Sequence, residues 1–141
     1  MRSFFTFLAI FLFLNSPAQT DSTSTITVTV QEISSEEGKV YFGLYSPKTF
    51  MKAAPEFTEV SEIKNGTATV TFKNVSAGKY AITAYHDKNG NQMMDFDVTG
   101  EPQEPYGVSN NKVNLYGPPL WKDSNFDFDG EPLELNIQIG R

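Results

Sequence analysis

The stretch Leu133-Glu-Leu-Asn-Ile-Gln-Ile139, close to the end of the chain, alternates apolar and polar residues without a break. A period of two is typical of a β-strand that buries one face and exposes the other. Four earlier stretches repeat the alternation, at residues 26–30, 39–45, 67–73 and 79–86. The sequence therefore predicts a protein built mainly from β-strands.

The remaining segments predict little helix. Ser46-Pro47 is typical of a helix start and predicts one or two helical turns over residues 49–54, ended by Pro55. Residues 87–132 lack a regular period, and so long a connection seldom lacks secondary structure in a compact domain. We expect short strands within residues 111–115 or 125–128. The whole pattern indicates an all-β fold, an antiparallel β-sandwich of about seven strands with one long ordered loop region.

The first 18 residues have the features of a cleavable secretory signal peptide. Arg2 is followed by an apolar run over residues 4–14, and Ser16 and Ala18 supply small side chains before a cut preceding Gln19. The apolar run is too short to span a bilayer, which takes about 20 residues, and no later stretch approaches that length. We expect an exported protein, periplasmic or extracellular, with a disordered tether at residues 19–25 and a single domain at residues 26–141.

Composition excludes several classes of function. The chain carries 17 acidic and 11 basic residues, a net charge of −6, and loss of Arg2 makes it one unit more negative. This argues against nucleic acid as a partner, because nucleic acid selects Lys/Arg patches, and it is compatible with a bound cation. The absence of cysteine excludes disulfides, thiol catalysis and thiolate metal sites.

Several separated motifs then resemble a family. They are Gly38-Lys-Val-Tyr-Phe-Gly-Leu-Tyr45, Gly78-Lys-Tyr-Ala-Ile-Thr-Ala-Tyr-His-Asp-Lys-Asn-Gly-Asn91, Gly100-Glu-Pro, Glu104-Pro-Tyr-Gly-Val-Ser-Asn-Asn111 and Gly117-Pro-Pro-Leu-Trp-Lys-Asp123. In this order they resemble a bacterial exported family known only as domain of unknown function 2141, which has no established activity. Residues 70–85 are also similar, at the level of the fold, to prealbumin-like and Ig-like sandwich modules. That similarity implies no catalytic role.

Residues 87–97 carry the pattern richest in chemistry. Asp87, Asn89, Asn91 and Asp95 stand at offsets 1, 3, 5 and 9 of an EF-hand-type loop, with the Met93 carbonyl at offset 7. Calcium takes six to eight oxygen ligands, which short Asp and Asn side chains supply. We therefore predict a calcium ion that orders the long connection. The alternative is a tight turn, because Asp and Asn also bond their own backbone.

Two parts of the calcium pattern are missing. Gln92 replaces the glycine at offset 6, and the family resemblance also places a more flexible Gly-Lys-Leu/Met where this chain has Gln92-Met93-Met94. Val98 replaces the bidentate glutamate at offset 12, so Asp97, Glu101 or Glu104 would have to substitute for it.

Other polar residues are candidates for ligand binding, and Glu101 and Glu104 are also among them. The single histidine, His86, would serve as a general base in a catalytic interpretation; its place on the face of Ile82 and Ala84 favours a strand-end histidine bonded to loop backbone. Ser109-Asn110-Asn111, beside Tyr106, suits sugar or peptide binding, and it equally suits a buried polar turn clamped by aromatic rings. We predict no catalytic residue.

Three functions remain open at this stage. The favoured one is a non-enzymatic exported module that binds a cell-envelope protein or a glycan or has a structural role. The second is a small glycan-acting hydrolase, which needs two carboxylates at about 5–9.5 Å across a cleft. The third is a transthyretin-like small-ligand carrier that oligomerises through an exposed strand edge.

Overall fold

The computed structural model describes residues 24–140, so the predicted signal peptide and most of the predicted tether lie outside the described residues. Ser24 and Thr25, assigned to the tether, are already held: their carbonyls accept hydrogen bonds from Val75 N and Leu133 N. Eight strands follow along the chain: β1 (Ile26–Val30), β2 (Lys39–Tyr45), β3 (Phe57–Glu62), β4 (Ala68–Phe72), β5 (Gly78–Asp87), β6 (Tyr106–Val108), β7 (Phe126–Phe128) and β8 (Leu133–Ile137).

The strands form two sheets. One has the order β4-β1-β8 and the other β3-β2-β5-β6, with β7 also pairing with β5. All pairings are antiparallel except β1 with β8, which run parallel from Ile26↔Leu133 to Val30↔Ile137. The prediction of an all-β sandwich is confirmed, with eight strands and one parallel pair where about seven antiparallel strands were expected.

The core lies between the two sheets and uses the alternation seen in the sequence. Ile26, Val28 and Val30 of β1 are fully buried, and they pack in one cluster with Phe42 of β2 and Phe72 of β4. On β1 and β4 the outward threonines pair across the strands, with Thr27 and Thr71 hydroxyls 3.0 Å apart. The period of two therefore places apolar residues inside and polar residues outside, as expected.

The local predictions had different outcomes. Residues 49–54 form single hydrogen-bonded turns, closed by bonds such as Phe50 N to Ser46 O, and no continuous helix. Residues 111–115 form no strand; β7 falls within residues 125–128 as expected, whereas β3 and β6 were missed. The four-residue helix α1 (Trp121–Ser124) precedes β7. No helix within residues 24–140 is long and apolar enough to cross a membrane.

Candidate functional site

The Asp/Asn loop, residues 87–97, begins where β5 ends. Asp87 is buried and holds the start of the loop, because its Oδ1 accepts from Gly90 N at 2.9 Å and its Oδ2 accepts from Gln92 N at 2.8 Å. Gly90 and Gln92 both adopt positive φ, 73° and 64°, so the chain turns tightly here. Asp87 therefore acts first as an anchor for the loop backbone.

Three further predicted ligands of the loop meet at one point. Asn89 Nδ2 donates to Asp95 Oδ2 at 2.6 Å, and Asn91 Nδ2 donates to Asp95 Oδ1 at 2.7 Å. The amide oxygens accept from the backbone N–H two residues further on, Asn89 Oδ1 from Asn91 N and Asn91 Oδ1 from Met93 N. The Asx turns of the alternative interpretation are therefore present, and the amide nitrogens of Asn89 and Asn91, rather than their oxygens, face the Asp95 carboxylate.

Glu104, two residues before β6, reaches back to this loop. Its Oε1 accepts from Lys88 N at 3.2 Å and its Oε2 from Asp95 N at 3.4 Å, and the side chain is buried. Burial raises the pKa of the Glu104 carboxyl, and the negative charges of Asp87 and Asp95 raise it further. Of the three carboxylates considered for offset 12, Glu104 is the one placed against the loop.

The other two carboxylates belong to a separate turn. Asp97 Oδ1 accepts from the Thr99 N and hydroxyl and from Glu101 N. The Thr99 hydroxyl bond is the first reason that the pKa of Asp97 lies below its ordinary value. Glu101 lies on this turn and faces a groove described below. The structure therefore does not bring Asp97 or Glu101 to Asp95.

The polar side chains of the loop are of mixed type. No group of three or more His, Asp or Glu side chains within residues 24–140 is arranged as a metal site. What the loop gathers is a mixed set: the Asp95 carboxylate between two amides, with the buried Asp87 and Glu104 carboxylates bonded to the same stretch of backbone. Oxygen-rich sets of carboxylates and amides suit calcium and do not suit zinc.

His86 is placed as a structural residue. It lies on β5, is buried, and its Nε2 is 2.6 Å from the Glu37 carbonyl, while its backbone N donates to Pro105 O. These contacts tie β5 to the turn before β2 and to the entry of β6. The ring is thus committed to backbone, as the strand-end interpretation predicted.

Ser109, Asn110 and Asn111 also bond backbone. The Ser109 hydroxyl accepts from Ile82 N and donates to Ser124 O, and Asn110 Nδ2 donates to the carbonyls of Asp123 and Asn125. Asn111 pairs with the edge of β8 through Asn136 O and Gln138 N. This polar clamp, residues 109–111, joins β5, α1 and β8, so its polar groups brace the fold.

A groove of about 750 Å³ opens on the outer face of the five-stranded sheet. Its floor is the outward side of β5 and β6, including Tyr85 and Tyr106. Residues 94–103 form one wall and residues 113–119 the other, with Met51 beside them. Of the predicted ligand-binding residues, Tyr106 and Glu101 line this groove. The remaining residues that line the groove were not predicted, because exposed apolar residues in segments without a regular period show no sequence pattern.

The tyrosine on the floor is held rigidly. The Tyr85 ring stacks on Tyr41 with centroids 5.4 Å apart, and its hydroxyl donates to Gln92 O. Burial raises the pKa of Tyr85 to about 12, with a further contribution from the Asp87 charge. This ring connects the groove floor to the Asp/Asn loop.

The hydrolase alternative required a carboxylate pair facing a cleft. Asp95 and Glu104 are neighbours, but neither lines the groove, whose one acidic residue is Glu101. The arrangement therefore gives this alternative no support.

Comparison with known proteins identifies a family. The profile of the uncharacterized proteins conserved in bacteria, DUF2141, matches residues 28–136, which run from within β1 to within β8. No curated protein and no solved structure matches the chain significantly, so the prealbumin-like resemblance stays a prediction. Because the match covers most of the chain, this protein belongs to the DUF2141 family.

Proposed function

We propose that the protein is an exported, non-enzymatic β-sandwich module whose Asp/Asn loop binds one calcium ion. The observation that carries the proposal is the convergence of Asn89 and Asn91 on Asp95, beside the buried Asp87. A calcium ion at this point would take oxygen ligands from the Asp95 carboxylate and from the two amides, whose oxygens would turn from the backbone N–H groups to the ion. The proposal that the protein is exported rests on the signal-peptide pattern of residues 1–18.

The ligands would be Asp87, Asn89, Asn91, Asp95 and the Met93 carbonyl, with Glu104 in place of the glutamate missing at offset 12. Glu104 supports this assignment because its two oxygens already bond the backbone at both ends of the loop. The ion would offset the mutual repulsion of Asp87, Asp95 and Glu104. Its role is to order the connection between β5 and β6.

Calcium is expected to stabilise the folded protein. A ligand that binds only the folded state at about a hundred times its Kd adds about 2.7 kcal/mol. The purified protein should therefore melt several degrees higher in calcium than in EDTA, whereas magnesium should have a smaller effect because it prefers octahedral, water-rich sites. Isothermal titration should show one ion per chain.

Two variants separate the site from its surroundings. Asp95→Asn keeps the shape of the side chain but removes the central carboxylate and one of the two oxygens that accept from the amides, and it should abolish most of the calcium response. Asp97→Asn, in the neighbouring turn, is the matched control and should keep the response. A protein that melts at the same temperature with and without calcium would refute the proposal. Export is tested separately, by the mass of the secreted product, which should begin at Gln19.

A further inference from the structure

The groove concentrates exposed apolar side chains. Of the nine large hydrophobic residues exposed within residues 24–140, five line it: Met51, Phe96, Val113, Leu115 and Tyr116. Phe96 is 61% exposed and Tyr116 97% exposed, in walls contributed by different segments. Exposing such side chains together is unfavourable in water, and a contiguous apolar patch of this kind marks a binding surface.

The walls are formed before any ligand arrives. On one side, Asp97 Oδ1 caps the turn that carries Glu101. On the other, Asn114 Oδ1 accepts from Tyr116 N and its Nδ2 donates to Pro118 O. Because these bonds set the backbone on both sides, little conformational entropy has to be lost on binding.

The hydrogen-bonding groups and charges of the lining side chains indicate which class of ligand the groove can bind. A sugar requires polar partners for many hydroxyls, yet the Asn114 amide is committed to its own turn and Gln103 Nε2 donates to Glu101 O. Within residues 24–140 the groove lining contains no Lys, Arg or His, and Glu101 is its one charged side chain. The lining therefore disfavours anions and favours contact with apolar rings.

We propose that this groove is a binding site for an apolar, aromatic molecule of small-ligand size that carries no negative charge. A volume of about 750 Å³ accommodates two to three fused or linked rings, within the range of small-molecule sites. The ligand lies over Tyr85 and Tyr106, with Phe96 on one wall and Tyr116 on the other. The groove shares no proposed side-chain ligand with the calcium site, but its wall at residues 94–103 belongs to the connection that the ion would order, so dye binding is measured both with and without calcium.

Two naphthylamine dyes test both the apolar character and the charge selection. N-phenyl-1-naphthylamine is neutral, and 1-anilinonaphthalene-8-sulfonate carries the same rings with one negative charge. The neutral dye should bind the purified protein saturably, at one per chain, with increased fluorescence. The anionic dye should bind on the order of tenfold more weakly, because Glu101 and the net negative charge repel it.

Substitutions of groove residues test whether the dye binds in the groove. Phe96→Ala and Tyr116→Ala should each weaken binding of the neutral dye on the order of fivefold, and both side chains are too exposed for their loss to unfold the protein. Glu101→Gln should strengthen binding of the anionic dye and leave the neutral dye unchanged. Val60→Ala, an exposed apolar residue on β3 away from the groove, is the control and should change neither.

Three results would overturn the proposal: no saturable binding of the neutral dye, equal loss in the Val60 control, or a solution mass showing that a second copy of the chain covers the groove. Each titration is repeated in calcium and in EDTA. Dye binding that persists in EDTA supports the groove whatever the outcome for calcium, and a calcium response without dye binding refutes the groove alone.

Discussion

At the scale of single residues, one hydroxyl fills a gap in the sheet. β6 pairs with β5 at residues 83–85 and β7 pairs with it at residues 78–80, so the same edge of β5 is shared by two short strands. Between them, the Ile82 N–H has no strand partner and donates to the Ser109 hydroxyl at 3.0 Å. That hydroxyl in turn donates to Ser124 O, so one side chain satisfies two buried backbone groups.

Removing this hydroxyl should be costly. Ser109→Ala leaves a buried N–H and a buried C=O without their partner, which costs about 1–3 kcal/mol for each unsatisfied group. Urea unfolding of Ser109→Ala should show a free energy of unfolding lower by at least that amount. Ser61→Ala, which removes an exposed hydroxyl on β3, should stay within about 0.5 kcal/mol of the wild type. Equal effects of the two variants would contradict the bridging role.

At the scale of elements, the segment between β2 and β3 is organised by one carboxylate. Glu56 Oε2 accepts from the Thr49 hydroxyl at 2.6 Å and from Ser46 N at 3.3 Å. These bonds close the turns that place Phe50 in the core, where it contacts Tyr45 and Trp121 edge to face. The conformation of the segment between β2 and β3 thus depends on this hydrogen-bond network more than on helix propensity.

That network makes stability depend on pH in a defined direction. Partial burial tends to raise the pKa of Glu56, but the hydrogen bonds from Ser46 and Thr49 outweigh it, so the folded-state pKa lies below the ordinary 4.5. A lowered folded-state pKa gives a stabilising contribution that is present above pH 4.5 and is lost as the pH falls through the folded-state value. The free energy of unfolding should therefore fall more steeply below pH 4.5 in the wild type than in Glu56→Gln.

Thr49→Val removes the hydroxyl donor while keeping the side-chain shape, so it should flatten the same limb of the pH profile. The measurement is urea unfolding between pH 3 and 7 in a series of buffers. Identical profiles for the wild type and both variants would show that Glu56 titrates as it does in the unfolded chain.

At the scale of the whole molecule, the two sheets are joined where β6 meets the segment after β8. Tyr106 and Gly140 exchange backbone hydrogen bonds, N to O in both directions, at 3.2 and 3.0 Å. The close approach leaves no room for a side chain on Gly107, because a Cβ there would lie 2.0 Å from the Gln138 carbonyl oxygen. One glycine therefore allows the end of the chain to close the sandwich.

Gly107→Ala should force these two backbones apart. Overpacking at a buried contact costs about 1–3 kcal/mol, and this contact is with backbone that cannot rotate away. We expect a lower urea midpoint for Gly107→Ala and faster hydrogen exchange of the Tyr106 and Gly140 amides. Gly140→Ala, where a Cβ meets no atom within 4 Å, is the matched control and should behave as the wild type. Unchanged exchange in Gly107→Ala would contradict the role given to this contact.

The sequence by itself determined the strands that have one apolar face, which they bury in the core. β1, β2, β4, β5 and β8 each carry an apolar residue at every second position over five or more residues, so the hydrophobic effect alone specifies their inward side. The same reasoning placed His86 at the buried end of β5 and placed Asp87, Asn89, Asn91 and Asp95 in one loop.

The tertiary structure alone decided the rest, because the remaining elements depend on neighbours. β3 is mostly exposed and is held by pairing with β2, and β6 has only three residues, so neither has a period to detect. The parallel pairing of β1 with β8 joins residues about a hundred positions apart, which no local pattern encodes. The choice of Glu104 over Asp97 or Glu101 beside the loop, and the groove between two aperiodic walls, follow from that long-range packing.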